Sequence, residues 1–302
     1  MLPDEPVRPT PVEGQGPGLP RCHRHPDRET GVSCARCGRP VCPECMVPAS
    51  VGFQCPDCVH GAAERQARPR TAFGGVLSLG DGALVTKVLI GLNLLVFLLT
   101  EYVAPDWQVK LGLVSWAPVP VPGLRFGMAA GPEEWYRLVT AMFVHGGLLH
   151  IATNMFSLWI LGPQLERVLG RLRFLGLYLV AGIAGNALSF LLTPGPEKLF
   201  TVGASGAIFG LLGATAVLFR ANRVPMQPVI ALLVVNLVIT FSLSSMIDWR
   251  AHVGGLVAGT VIGAGMMYAP RAHRNLVQGL TTAAVLAAAL ALVLVATARL
   301  PG

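Results

Sequence analysis

The chain has 302 residues, of which 53% are hydrophobic and only 13% charged, and its mean hydropathy is +0.58. A soluble domain carries about 25% charged residues, so this composition excludes an ordinary soluble globular protein and puts most of the chain in lipid. The net charge of +7 does not imply nucleic acid. No basic–aromatic stripe accompanies it, and Lys and Arg beside membrane spans account for it.

The first twenty residues, MLPDEPVRPTPVEGQGPGLP, are rich in Pro and Gly and contain no apolar core of a signal peptide. A disordered tail over 1–20 is expected, with the N-terminus in the cytoplasm. All seven cysteines follow within 22–58, as Cys22-x2-His25, Cys34-x2-Cys37, Cys42-x2-Cys45 and Cys55-x2-Cys58. Four such pairs provide ligands for two tetrahedral zinc ions. The odd cysteine count and the reducing cytoplasm argue against disulfides. So short and polar a segment needs metal to fold. His23 and His60 are spare; either could replace a ligand, and a surface role is the expectation. Closed four-ligand sites leave no open position for catalysis. A zinc module over 21–60 and a linker over 61–83 are therefore expected.

Beyond the linker the chain is a series of apolar runs. A span takes about 20 apolar residues, and its backbone must be helical to satisfy its own hydrogen bonds. Seven spans are expected, at roughly 84–101, 146–165, 172–192, 203–220, 225–243, 250–268 and 277–298. Arg65, Arg68, Arg70, Lys87, Arg167, Arg171, Arg173, Arg220, Arg223, Arg271 and Arg274 fall in the breaks on the N-terminal side. Lys110, Arg125, Arg137, Lys198, Arg250 and Arg299 fall on the other side, over much more chain. This bias favours N-terminus inside and C-terminus outside. The long outer loop, about 102–145, carries Tyr102, Trp107, Trp116, Trp135 and Tyr136 with few charges. Such a loop belongs in the membrane interface.

Gly206, Gly210 and Gly213 mark one face of the fourth span, and Gly255, Gly259 and Gly263 one face of the sixth. Facing glycines let two backbones approach closely. Ser205 and His252 sit at the outer ends of these stripes, so stripe-to-stripe packing would bring them together. Serine is a weak nucleophile until a neighbouring base takes its proton, and histidine is the usual base. A serine in a membrane helix is by itself far more often structural, whereas an ionisable histidine there points to function. Asp248 is read as the N-cap of the sixth helix rather than a third catalytic member. In the second span His150 and Asn154 share a face at i, i+4. With the Ser205 N–H they could supply donors to a developing oxyanion. A metal site built on His145 and His150 has no carboxylate or Cys nearby in sequence, and His145 is read as structural.

These pieces resemble, in order, the motifs of rhomboid intramembrane proteases: Trp135-Tyr136-Arg137, His145-x4-His150-x3-Asn154, Gln164-Leu165-Glu166 with Gly170, Gly203-Ala204-Ser205-Gly206 and Ala251-His252-Val253-Gly254-Gly255. The resemblance covers about 84–270. It implies a serine-type endopeptidase acting on transmembrane proteins in the bilayer, with Ser205 as nucleophile and His252 as base. His150, Asn154 and the Ser205 N–H would form the oxyanion hole, and a small residue would precede the cut. Arg137 and Glu166 would be structural, and Gly206 and Gly255 would allow helix contact. Phe209 stands where some members have Tyr; its ring could stack on His252, without the hydroxyl. The fold implied is all-α, a polytopic membrane bundle with a six-helix core over 84–270, an additional C-terminal helix over 271–302 and the small zinc module. The expected location is the plasma (inner) membrane.

The cysteine spacing resembles a B-box zinc finger. That resemblance implies interleaved pairing, with Cys22, His25, Cys42 and Cys45 on one zinc and Cys34, Cys37, Cys55 and Cys58 on the other. It also implies a docking or regulatory role toward a cytoplasmic protein. Two other functions compete for the membrane domain. A catalytically silent binder or chaperone of the same fold is opposed by the intact Ser205 and His252. A transporter or channel is opposed by the lack of an inverted repeat or a chain of acidic residues.

Overall fold

The computed structural model describes residues 18–65, 70–76, 80–114, 132–193, 200–244 and 247–299. Most of the expected tail, part of the linker including Arg68, the outer-loop residues Trp116 and Arg125, and Lys198 lie outside them. The chain divides into two compact units, Met1–Arg68 and Pro69–Gly302.

In the first unit, regular structure is sparse. β1 (Val47–Pro48) and β2 (Phe53–Gln54) form an antiparallel ladder, pairing Val47 with Gln54 and Pro48 with Phe53. A 3-10 turn at Pro43–Cys45 precedes it and helix α1 (Pro56–Arg65) follows. The buried cluster consists of Cys22, Cys34, Cys42, Cys45, Cys55 and one aliphatic residue, Val41. So small an apolar core cannot offset chain entropy by itself.

The second unit is a helical bundle. Its elements are α2 (Leu84–Leu98) with a π turn at Leu99–Val103, the short α3 (Trp107–Leu111) and α4 (Arg137–Thr140), then α5 (Leu148–Leu169), α6 (Arg171–Leu191), α7 (Ser205–Ala221), α8 (Gln227–Ser242), α9 (Trp249–Met267) and α10 (Arg274–Ala298). Each of the seven expected apolar segments is a helix, within a few residues at each end. Among the described residues three are long and apolar enough to cross a membrane: Leu84–Val103, Arg171–Leu191 and Arg271–Ala298. The helices α5 and α9, at 22 and 19 residues, have the length but are diluted by polar side chains and glycine. The outer surface is strongly apolar, with Leu149, Phe156, Trp159, Leu172, Val238 and Leu280 exposed. Water would not tolerate such a surface, and lipid requires it. The chain is an integral membrane protein.

Two buried ionic groups fix helix ends. Glu166 is 2% exposed and accepts from the Val85 N–H (2.9 Å), the Thr86 N–H (2.8 Å) and the Thr86 hydroxyl (2.8 Å). Those amides are orphan donors in the first turn of α2, so Glu166 caps that helix from α5. Arg137 donates to the Val109 and Gly112 carbonyls at 2.5 and 2.8 Å and pairs with Glu134. It thereby anchors the chain after α3. The C-terminal α10 packs on α6, where Ala289, Val293 and Ala296 cluster with Ala181, Ala184 and Ala187.

The glycine stripes of α7 and α9 face one another. A Cβ on Gly255 would overlap the Gly206 carbonyl oxygen, and one on Gly259 would overlap the Gly210 backbone. Gly176 faces open space. Gly255→Ala is therefore expected to destabilise the bundle by about 1–3 kcal/mol through forced backbone separation. Gly176→Ala should stay within about 0.5 kcal/mol. Thermal unfolding in detergent compares the two; equal midpoints would remove the close-contact account.

Candidate functional site

The helices α5, α7 and α9 each begin at the same end of the bundle, and their first turns carry His150, Ser205 and His252. Ser205 opens α7 after a turn that only glycine fits well. Gly203 has φ +117, and a Cβ there would come 2.7 Å from His150 Nε2. The turn is held on several sides. Its Gly203 N–H donates to the Ala141 carbonyl at 2.9 Å, and the Ala204 N–H points at His145 Nε2 at 3.5 Å. The strand before it, β4 (Phe200–Thr201), pairs antiparallel with β3 (Leu113–Val114).

Ser205 Oγ lies 2.7 Å from His252 Nε2. The imidazole is buried, and the Phe209 ring stacks on it with centroids 4.2 Å apart and an interplanar angle of 20°. At the start of α9, Asp248 occupies the N-cap and accepts from the Arg250 N–H at 3.1 Å. Its second carboxylate oxygen accepts from the Thr201 hydroxyl at 2.7 Å and from the Ser189 hydroxyl. Asp248 thus ties α6, β4 and α9 together and makes no hydrogen bond to the His252 ring. His150 accepts from the Gly146 N–H at 3.4 Å through Nδ1 and turns Nε2 toward Gly203. The Asn154 amide donates to the His150 carbonyl at 2.9 Å. His145 is fully buried and packs edge-on to His150 at 5.0 Å. It buttresses the turn before Ser205.

Chemically, this arrangement offers a hydroxyl whose proton has an imidazole acceptor, at a helix start whose free N–H groups favour an anion. His150 and Asn154 lie on the Gly203 side of that start. One neighbour has no counterpart in the sequence reading. Thr240 of α8, 1% exposed, places Oγ1 2.8 Å from His252 Nδ1. Beside Phe209, a cavity of about 80 Å³ lies between α5, α7 and α8, lined by Phe156, Ile208, Leu232 and Asn236. A larger cleft of about 430 Å³, with Asp81, Lys87 and Arg167 on its walls, opens at the far end of α5. By helix rise that is about 25 Å from His150.

In the first unit, Cys22, His25, Cys42 and Cys45 converge, and separately Cys34, Cys37, Cys55 and Cys58, with the ligand atoms of each set within 4.8 Å of one another. His25 Nδ1 is 3.4 Å from Cys42 Sγ and 3.3 Å from Cys45 Sγ, and Cys37 Sγ is 3.7 Å from Cys55 Sγ. A tetrahedral site with metal–sulfur bonds near 2.3 Å has edges of about 3.8 Å, so both sets could hold a metal ion. Electrostatics agrees. Burial opposes ionisation of Cys22 and Cys34, but backbone N–H donors, led by those of Cys42 and Cys55, bring each thiol down to about 6. Burial and the neighbouring Cys22 then push Cys45 up to about 11, and Cys55 and Cys37 push Cys58 up to about 12. Each set thus contains one thiol that ionises readily and one, Cys45 or Cys58, held back by its neighbours, and a dication would relieve that repulsion. His23 bonds Asp57 at 2.8 Å, which holds that carboxyl below its usual range. His60 is exposed.

Fold and site define a polytopic helical membrane bundle with a serine–histidine pair at one end. A family model described as "Rhomboid domain" matches residues 132–269. The chain is similar to "Rhomboid protease GluP" of Bacillus subtilis, 35% identical over 179 residues, covering 58% of this chain and 33% of that protein. It is 33% identical over 169 residues to "RHOMBOID-like protein 6, mitochondrial" of Arabidopsis thaliana, covering 54% and 50%. With YdcA of Bacillus subtilis identity is 38% over 147 residues, covering 47% and 71%. The chain spans a third to a half of the length of the first two relatives. The chain belongs to the rhomboid family.

Asp248→Ala is expected to lower stability by about 2 kcal/mol, because it removes an N-cap and strands the Ser189 and Thr201 hydroxyls. Asp248→Asn, which keeps one acceptor, should lose less. Unfolding midpoints in detergent rank the two, and the reverse order would contradict the capping role.

Proposed function

We propose that this protein is an intramembrane serine endopeptidase that hydrolyses peptide bonds in or near transmembrane segments of other membrane proteins. The observation that carries this reading is the 2.7 Å contact between Ser205 Oγ and His252 Nε2. Ser205 attacks the carbonyl carbon of an unwound substrate segment as its proton passes to His252 Nε2. The carbonyl oxygen becomes an oxyanion, stabilised by the Ser205 N–H, His150 and Asn154. Its collapse breaks the C–N bond, His252 returns the proton to the leaving amine, and an acyl-Ser205 ester remains. Water, deprotonated by His252, hydrolyses that ester and regenerates the hydroxyl.

The same reading gives seven spans in the plasma membrane, N-terminus in the cytoplasm and C-terminus outside, with a protease core over 84–270 and an additional helix over 271–302. The module over 21–60 is a double zinc site, B-box-like, that docks a cytoplasmic protein. Cys22, His25, Cys42 and Cys45 would hold one ion and Cys34, Cys37, Cys55 and Cys58 the other. Zinc here supplies folding energy and no catalysis.

Full-length protein in proteoliposomes with a single-span model substrate tests the chemistry. Wild type should cleave, and Ser205→Ala and His252→Ala should lose about 10³-fold or more while keeping their unfolding midpoints. A serine-directed covalent probe should label wild type and not Ser205→Ala. Capture of the substrate without cleavage would instead favour the silent-binder reading. For the module, metal analysis should give about two zinc ions per chain, and chelation should unfold residues 21–60 by hydrogen exchange. Near-zero metal with an intact module would refute the zinc assignment.

A further inference from the structure

The His252 ring has a hydrogen-bonding neighbour on each nitrogen. Nε2 faces Ser205 Oγ at 2.7 Å and Nδ1 faces Thr240 Oγ1 at 2.8 Å. Thr240 Oγ1 is also 2.7 Å from the carbonyl oxygen of Asn236, one turn earlier in α8. A carbonyl only accepts, so the Thr240 hydroxyl hydrogen is directed to Asn236. The Thr240 oxygen is left to accept, and Nδ1 must then be the nitrogen that bears hydrogen. A neutral imidazole carries one N–H. Nε2 is therefore the free acceptor, the form required to take a proton from Ser205.

We infer that Thr240 is a positioning residue for His252, selecting through its hydroxyl the tautomer that can act as base. The inference rests on the proteolytic reading above for its consequence, but not for its geometry. The Phe209 stack fixes the plane of the ring and leaves its two edges interchangeable by a half-turn; Thr240 distinguishes them. Bonding back to one's own helix is ordinary for threonine here, as Thr215 and Thr297 show. Thr240 differs in that its remaining lone pair meets a ring nitrogen. When the Ser205 proton arrives on Nε2, the imidazolium keeps its Nδ1–H bond to the Thr240 oxygen. No second charge need then be buried to support the cation. Asp248 and His150 are the ionisable groups with an electrostatic influence on His252, and neither bonds the ring.

Among the described α8 residues, only Val229 and Thr240 are buried. Thr240 is thus where this sparsely packed helix meets the site, and the base is correctly set only while α8 is docked.

Two readouts on the full-length protein test this. In ¹⁵N-histidine NMR, with the His252 signals assigned by their loss in His252→Ala, wild type and Thr240→Ser should show the Nδ1–H form. Thr240→Val and Thr240→Ala should show a mixture. In the cleavage assay, Thr240→Val should lose about 10- to 100-fold in kcat with little change in KM, and Thr240→Ser should recover most of it. The acid limb of the Thr240→Val pH–rate profile should move to lower pH, because its imidazolium has lost an acceptor. A purely structural role would lower the unfolding midpoint without moving tautomer or limb. An unchanged tautomer in both Val and Ala variants, or a Ser variant as impaired as Val, overturns the inference. A tautomer shift in a wild-type background that cleaves nothing supports Thr240 and sinks the proteolytic reading instead.

Discussion

Helices in a bilayer gain little from burying apolar surface against one another, because lipid is equally apolar. What holds α7 and α9 together at short range is the interlock of Gly255 against Gly206 and of Gly259 against Gly210. Ser205 directly precedes the first of these contacts on α7, and His252 lies three residues before it on α9. The backbone approach therefore sets the distance between hydroxyl and imidazole. A hydrogen bond of this kind forms only within a narrow range of distance and angle. The chemistry at this end of the bundle depends on two helices whose backbones touch where glycine leaves room for it.

Elsewhere in the bundle, hydrogen-bonded charged groups act as fasteners. Glu166 closes the first turn of α2, Arg137 gathers the Val109 and Gly112 carbonyls at the end of α3, and Asp248 joins α6 and β4 to α9. Glu166 and Arg137 are charges taken out of water, which is tolerable only when their hydrogen-bonding capacity is met; Asp248 is half-buried. Each bonds across long sequence separations, so it fixes where helices start rather than adding to their propensity. The fastening is densest near the turn that presents Ser205. α8, in contrast, buries only Val229 and Thr240 among its described residues.

The two units address one shortage in different ways. Among its described residues the first has a single fully buried aliphatic side chain beside its cysteines, and its order comes from ligand geometry and from N–H donors aimed at sulfur, as in the Cys55 N–H to Cys34 Sγ bond of 3.2 Å. The second has abundant apolar surface but no water to drive its burial, and relies on close backbone packing and satisfied polar groups.

Which segments are helices could be read from the residues alone, because the length of an apolar run and its flanking charges are local properties. The sequence also placed the glycine stripes on single faces, Asp248 at an N-cap and Phe209 one turn from Ser205, since these follow from helical period. The four Cys/His pairs were legible for the same reason, and their interleaving came from family resemblance. The rest came from how the helices pack. Thr240 sits in the run VVNLVITFS with nothing to mark it, and its role depends on how α8 is rotated against α9. The Ser189 and Thr201 bonds to Asp248, and the two-residue pairing of β3 with β4, join parts too distant or too short to leave a pattern. Periodicity along a chain fixes which face a residue is on; the crossing of helices fixes what that face meets.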